Sequence, residues 1–435
     1  MTDGLTEGLH EAAGYGRPTA PGDDKTTAIV LPVLPDAEAD GGPRVMVLGC
    51  GEPSRELAIA LRDLGATVIA VDALADAPAH GPADQSLVVP LTDADQLSKS
   101  IQRIKPDFVV AAADGVAVNG LDDLADGAEL VPSARTLRLT ADREGLRHLA
   151  ADVLGLPTAP FWFAGSAGEL EAIAAHAGYP LLVEPVSGAT RRGQWLITKP
   201  DDIGRAWQRV LATQAGADGH RVLAQRMVEV EFYVTLLVIR SEGPDGPLLE
   251  FCSPIGHGPA DAAVQESWQP QKLSTMALDV AKSIGARIVK ALGGRGVFGV
   301  ELMINGDEVY FADVTATPQD SAWVTLRTQR LSAFELQARA ILGLPVDTMM
   351  ISPGAARGVY LGRDATSTAP GAAALTGALG VPESDLRLFG RGRFARAEAG
   401  IHPAGVALAT APDVALARGR AREVTNRLSV RDSRE

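Results

Sequence analysis

The chain has 435 residues, 46% of them hydrophobic and 22% charged, with a formal net charge of -14. That length exceeds one ordinary hydrophobic core and predicts two to four units. The acidic balance excludes a nucleic-acid surface, which needs a basic face to displace counterions from phosphates.

Residues 1–43, with Gly, Pro, Asp and Thr and little apolar periodicity, read as a disordered tail. From Arg44 an apolar strand over 44–49, a helix over 56–65 and a strand over 67–72 predict a βαβ start of the nucleotide-fold type. A strand over 86–90, a helix over 93–104 and a strand over 107–111 continue it. Gly49-Cys50-Gly51-Glu52-Pro53-Ser54 is a strand-to-helix turn whose backbone N–H groups suit a phosphate or carboxylate, a weak signal by itself. A helix beginning near Ala141 opens the next unit, followed by strands over 181–184 and 195–198 and a helix from about 201 to 215. Strands over 222–224, 232–239 and 248–251 precede a long amphipathic helix over 276–292. Two β-patterned runs, Phe298-Gly299-Val300-Glu301-Leu302 and Tyr310-Phe311-Ala312-Asp313, then flank Asn305-Gly306-Asp307, the pattern of a hairpin. Each run carries one acid, and hard oxygen ligands on rigid strands suit a magnesium ion that bridges nucleotide phosphates. The bland alternative is two solvated carboxylates. After Ile351 the chain turns to Gly, Pro and Ala, with strands near 356–361 and 406–409 and a last helix over 412–429. No apolar run is long enough to cross a bilayer, and the N-terminus lacks a basic start followed by an apolar stretch, so a cytoplasmic protein without a membrane partner is expected. Cys50 and Cys252 are too few for a disulfide framework and read as small buried residues.

Several segments carry a resemblance in preserved order: Thr140-Ala141-Asp142-Arg143-Glu144-Gly145, Glu266-Ser267-Trp268-Gln269-Pro270-Gln271, Ala291-Leu292-Gly293-Gly294, the hairpin, Asp320, Val324-Thr325-Leu326, Arg387-Leu388-Phe389-Gly390 and Gly405-Val406-Ala407-Leu408-Ala409. Together, from Arg44 to nearly the C-terminus, they resemble the formate-dependent phosphoribosylglycinamide formyltransferases of the ATP-grasp superfamily. The resemblance implies an α/β fold: an open nucleotide-fold-like domain over 44–140, an ATP-grasp domain over 141–345 with its small lobe at about 156–228, and a small β-rich domain over 346–435. It also implies ATP and Mg2+ as cofactors, a phosphorylated small-molecule ligand and a homodimer.

Carried over residue by residue, the family's nucleotide positions fall on Arg143, Arg191, Arg192, Gln225, Val228 and Tyr233, its metal carboxylates on Glu301 and Asp313, and its substrate positions on Glu52, Asp114, Asp320 and Arg391. No catalytic residue is assigned. The departures are mostly losses of positive charge. In Tyr179-Pro180-Leu181-Leu182-Val183-Glu184-Pro185 a carboxylate stands where the family lysine reaches ATP phosphate, Thr317 replaces an arginine, and His402-Pro403 replaces an arginine pair that gives bidentate bonds to phosphate. Tyr233 replaces a ribose-binding glutamate, Gln225 begins the altered adenine segment, and Asp313 is one methylene shorter than the family's Glu. The first expectation is therefore a divergent homologue with impaired or altered activity. The alternatives are a working formyltransferase in which Arg191, Arg192 and Arg391 take over the lost charges, and a ligase acting on another carboxylate and amine.

Overall fold

The computed structural model describes residues 41–429, apart from 114–115, 118–120, 122–126, 187–193, 213–220, 244–245, 260–263, 361–369 and 390–402. Residues 1–40 of the expected tail, and the site candidates Asp114, Arg191, Arg192 and Arg391, lie outside the described residues.

Strands β1 (Arg44–Leu48), β2 (Thr67–Asp72), β3 (Gln85–Val88), β4 (Phe108–Ala111) and β5 (Glu129–Val131) form a parallel sheet in the order β3-β2-β1-β4-β5. β1 is apolar after Arg44 because both its faces are covered: Val45 and Val47 enter one core, Met46 and Leu48 another. Helix α1 starts at Glu52 rather than at 56, spanning Glu52–Asp63. Glu52 and Pro53 occupy its first turn, where a missing N–H costs nothing and a carboxylate meets the positive end of the helix. Asp93 caps α2 (Ala94–Ile104) by accepting from the Gln96 N–H at 3.0 Å. The helix expected near Ala141 is two pieces, α3 (Ala134–Ala141) and α4 (Arg143–His148), because Asp142 takes an extended conformation and caps α4.

A second, antiparallel sheet holds β6 (Phe161–Ala164), β7 (Leu181–Pro185), β8 (Trp195–Ile197) and β9 (Val222–Arg226) in the order β6-β9-β7-β8. Helices α5 (Ala167–Ala177) and α6 (Ile203–Ala212) bury Leu170, Ala174, Ile203 and Ala206 against Leu181, Val183 and Ala224 on one face. Leu182 lies opposite Gln225 and Glu184 opposite Leu223, so Glu184 and Gln225 share the other face.

The largest sheet is antiparallel and contains β10 (Phe232–Gly243), β11 (Gly246–Phe251), β12 (Ile255–His257), β13 (Glu266–Gln269), β14 (Gly296–Asn305), β15 (Glu308–Thr315), β16 (Gly354–Val359), β17 (Ser384–Leu388) and β18 (Gly405–Thr410). Its order is β15-β14-β10-β12-β13-β16-β18-β17, with β11 on β10. Ser274 caps helix α7 (Thr275–Leu292), and Gly293, with φ 79, ends it. α7 packs Ala281, Ile284 and Ile288 against Leu236, Val238 and Val300. After the short α8 (Thr325–Thr328), helix α9 (Ala333–Ile341) covers the other face, Phe334 and Leu336 meeting Leu237, Ile239 and Val297. Helices α10 (Ala372–Leu379) and α11 (Val414–Ser429) back the C-terminal strands through Ala378 and Val424. Because β13 pairs directly with β16, the sheet is continuous across the boundary expected at 346.

Candidate active site

Glu301 and Asp313 are register partners across β14 and β15. Simple alternation would not bring them together. Phe311, two residues before Asp313, pairs with Leu302 and is buried beneath α7, while Asp313 pairs with Glu301 and leaves Ala312 as a bulge. That one unpaired residue turns Asp313 to the face of Glu301. Cβ atoms of directly opposed residues stand about 4.5–5.5 Å apart, within reach of one shared cation. Among the described residues no third His, Cys, Asp or Glu completes a metal cluster. The donor set fits magnesium, which keeps several waters and takes one or two carboxylates together with phosphate oxygens.

Glu301 is held from two sides. Its Oε1 accepts from the Thr235 hydroxyl at 2.9 Å, and Thr235 Oγ1 lies 2.9 Å from the hydroxyl of buried Ser321. A hydroxyl carries one proton, so Ser321 donates to Thr235 and Thr235 to Glu301. The other carboxylate oxygen lies 2.9 Å from His257 Nε2, while His257 Nδ1 lies 2.8 Å from the Gly258 carbonyl. The half-buried Tyr233 packs beside His257 with ring centroids 6.2 Å apart. Tyr233, Thr235, Glu301 and His257 share a face because Tyr233 registers with His257 and Thr235 with Glu301.

Asp313 looks toward α4. Arg143 and Arg147 stand one turn apart on that helix, and both are buried. Arg143 Nη1 donates to the Pro185 carbonyl at the end of β7. Arg147 Nη2 donates to Gln225 Oε1 at 3.1 Å and its Nη1 to the Phe311 carbonyl at 3.4 Å. Burial depresses the Arg147 pKa, opposed by the carboxylates of Glu184 and Asp313. Burial also pushes Asp313 up to about 6, opposed by the charges of Arg143 and Arg147. Glu184 does not stand bare toward a phosphate, as its sequence position suggested. It is buried on β7, accepts a hydrogen bond from Gln194 Nε2 at 2.8 Å, and lies in the field of Arg147. Two guanidiniums and two carboxylates thus balance one another between the sheets. Val228 is half-buried just beyond β9.

Beside His257 an open cleft is lined by His257, Gln265, Asp320, Ser321, Trp323 and Phe389, among others. Asp320 is exposed at its wall, so the cleft and the carboxylate pair meet through His257 and the Ser321 hydroxyl. Glu52 is buried at the start of α1 and is not among the residues lining this cleft. The turn before it is largely satisfied internally: the Cys50 N–H donates to Asp72 Oδ2 at 2.7 Å and the Gly49 N–H to the Val71 carbonyl at 2.9 Å.

The structure therefore groups Arg143, Gln225 and Asp313 in one constellation, and Glu301 with Tyr233 in an adjoining one. Arg147, His257, Thr235 and Ser321 were not found from the sequence. The signal for Arg147 was its spacing of four from Arg143 on a helix; the other three lie on separate elements and gave none.

A family model for the ATP-grasp domain matches residues 149–334. The chain is 44% identical over 399 residues to a protein of Corynebacterium glutamicum (strain R) named formate-dependent phosphoribosylglycinamide formyltransferase, covering 91% of this chain and 95% of that one. A solved structure described as glycinamide-RNase-transformylase T from Mycobacterium tuberculosis is 61% identical, with a TM-score of 0.76, and covers 89% of this chain and 100% of its own. N5-carboxyaminoimidazole ribonucleotide synthetase from Thermotoga maritima, at 20% identity and a TM-score of 0.73 over 88% of this chain and 98% of its own, shares the fold. With this identity extending over nine-tenths of its length, the chain belongs to the formate-dependent phosphoribosylglycinamide formyltransferase family and has the ATP-grasp fold.

Proposed function

We propose that the protein is a working formate- and ATP-dependent phosphoribosylglycinamide formyltransferase. The observation that carries this reading is the opposed Glu301–Asp313 pair, with Asp313 in the field of two buried arginines, an arrangement suited to a metal-bridged triphosphate. Bound MgATP would supply the phosphoryl group that converts formate to formyl phosphate. Glu301 and Asp313 would hold the ion, and the buried Arg143 and Arg147 would oppose negative charge beside it. Gln225, Val228 and Tyr233 form the nucleoside side of the pocket, with Arg191 and Arg192 assigned to the phosphates from the sequence. Asp320 at the cleft wall orients the attacking amine, and Glu52, Asp114 and Arg391 are assigned to the remainder of the phosphorylated substrate. The division at 44–140, 141–345 and 346–435, the homodimer and a cytoplasmic location belong to the same proposal. Among the described residues no helix is long and apolar enough to cross a membrane.

The expectation of impaired activity rested on Glu184, Thr317 and His402-Pro403. Glu184 weighs less now, because its charge is opposed by Arg147 rather than left facing the cleft alone. Purified protein supplied with formate, MgATP and phosphoribosylglycinamide should release ADP only when all three are present, and its gene should rescue a purine auxotroph lacking both transformylases. No turnover from folded protein would return the reading to the impaired homologue. Turnover with a different acid and amine, and none with this pair, would instead favour the altered ligase.

A further inference from the structure

We propose that Arg147 is a positioning residue that holds Asp313 in its metal-binding orientation and ties that orientation to the nucleotide-facing small sheet. Three observations carry this. First, the guanidinium spans two sheets, donating to Gln225 Oε1 on β9 and to the Phe311 carbonyl on β15. Second, the two peptide groups flanking Phe311 are both gripped: the Phe311 N–H donates to the Pro157 carbonyl at 2.7 Å, while its C=O, in the peptide shared with Ala312, accepts from Arg147. Third, that peptide immediately precedes the bulged Ala312, the residue that sends Asp313 to the face of Glu301 rather than into the core beneath α7.

A bulge leaves its residue without a ladder partner, so its geometry depends on what fixes the flanking peptides. Asp313 itself bonds only its neighbour's amide, the Val314 N–H at 2.8 Å, among the hydrogen bonds described, and that contact does not determine where the carboxylate points across the cleft. Arg147 supplies the missing constraint. Its planar fork makes two directed bonds, and its charge, seconded by Arg143, draws the carboxylate away from the core. Lysine in its place would keep the charge and lose the fork. Partners that orient a metal carboxylate typically change metal affinity about 10- to 100-fold when removed.

This inference rests on the reading of Glu301 and Asp313 as metal carboxylates, and the test separates the two. Mn2+ binding to the full-length, nucleotide-free protein is followed by loss of the free-ion electron paramagnetic resonance signal. The parent, Arg147→Lys, Arg147→Gln, Asp313→Asn and the Arg147→Lys/Asp313→Asn double variant are compared after circular dichroism has established folding. Each single substitution should weaken Mn2+ binding about tenfold, with Arg147→Lys the milder of the two arginine changes. The double variant should bind no more weakly than Asp313→Asn, because Arg147 acts through the group already removed. Additive losses in the double variant would overturn the positioning role, as would parental binding in both arginine variants. Parental Mn2+ binding in Asp313→Asn would overturn the metal reading itself. Should Arg147→Gln fail to fold, Arg147→Lys alone and in the double variant carries the same comparison.

Discussion

Replacing Glu184 by lysine, the family's residue, should pull stability and nucleotide affinity in opposite directions. Glu184 is buried, accepts from Gln194, and faces Arg147 across the junction of the sheets. Glu184→Lys removes one of two carboxylates that balance Arg143 and Arg147, leaving three cations around Asp313 in the ligand-free protein. Breaking a buried ion pair costs about 3–5 kcal/mol. The lysine stem can carry its ammonium toward the open cleft face, so a loss of about 2–3 kcal/mol is expected here. With nucleotide bound the balance changes sign. At an effective dielectric of about 20, one unit charge about 4 Å from another is worth about 4 kcal/mol, and the Arg147 charge already offsets part of the present repulsion. A tenfold to hundredfold gain in MgATP affinity, or about 1.4–2.8 kcal/mol, is the expected remainder. Chemical denaturation without ligand and calorimetry with an unreactive ATP analogue measure the two halves. If affinity falls together with stability, Glu184 is a structural partner of Arg147 that no phosphate approaches, and the electrostatic reasoning is refuted. Unchanged values in both assays would place the carboxylate outside the balance altogether.

The metal pair makes a sharper contrast: Glu301→Ala should abolish the thermal shift produced by MgATP while the fold persists, whereas Asp313→Glu should enlarge that shift, and two silent changes would mean that the acids are merely solvated. Asp313, raised from 3.8 to about 6, also predicts a pH dependence. Between these values the folded state holds a proton that the unfolded chain has released, so this carboxyl's stabilising contribution is lost as pH rises through about 6, with at most about 3 kcal/mol involved. In metal-free buffer Asp313→Asn should therefore gain stability relative to the parent from pH 4.5 to about pH 7.5; a flat difference in urea midpoints would contradict it. Burial raises the Cys50 thiol pKa and pushes Cys252 up to about 12, so neither should react with a thiol reagent at about pH 8 until the chain is unfolded, and rapid native labelling of either would show that its site opens.

Periodicity and local chemistry, read along the chain, sufficed for the opening parallel strands, for α2 and α7 and for the hairpin. Each of these is specified over a few consecutive residues: apolar runs, Asp93 and Ser274 caps, the Gly293 stop and the Asn305-Gly306 turn. The family motifs suggested roles for Arg143, Glu301, Asp313 and Asp320, since each lies inside a stretch whose order and spacing survive. What local pattern could not supply was any feature made by two distant segments. The bulge at Ala312 depends on the register of β15 against β14, and alternation alone would have sent Asp313 to the face of Phe311. The meaning of Glu184 likewise depended on Arg147, which precedes it in sequence yet meets it only when α4 packs into the junction of two sheets. His257, Thr235 and Ser321 converge on Glu301 from three elements for the same reason. Local sequence determines which backbone conformation a segment adopts, because propensity, caps and turns act within a few residues. Which charges neutralise one another, and which carboxylates share an ion, is decided by packing, because electrostatic partners are chosen by distance in space and not by separation along the chain.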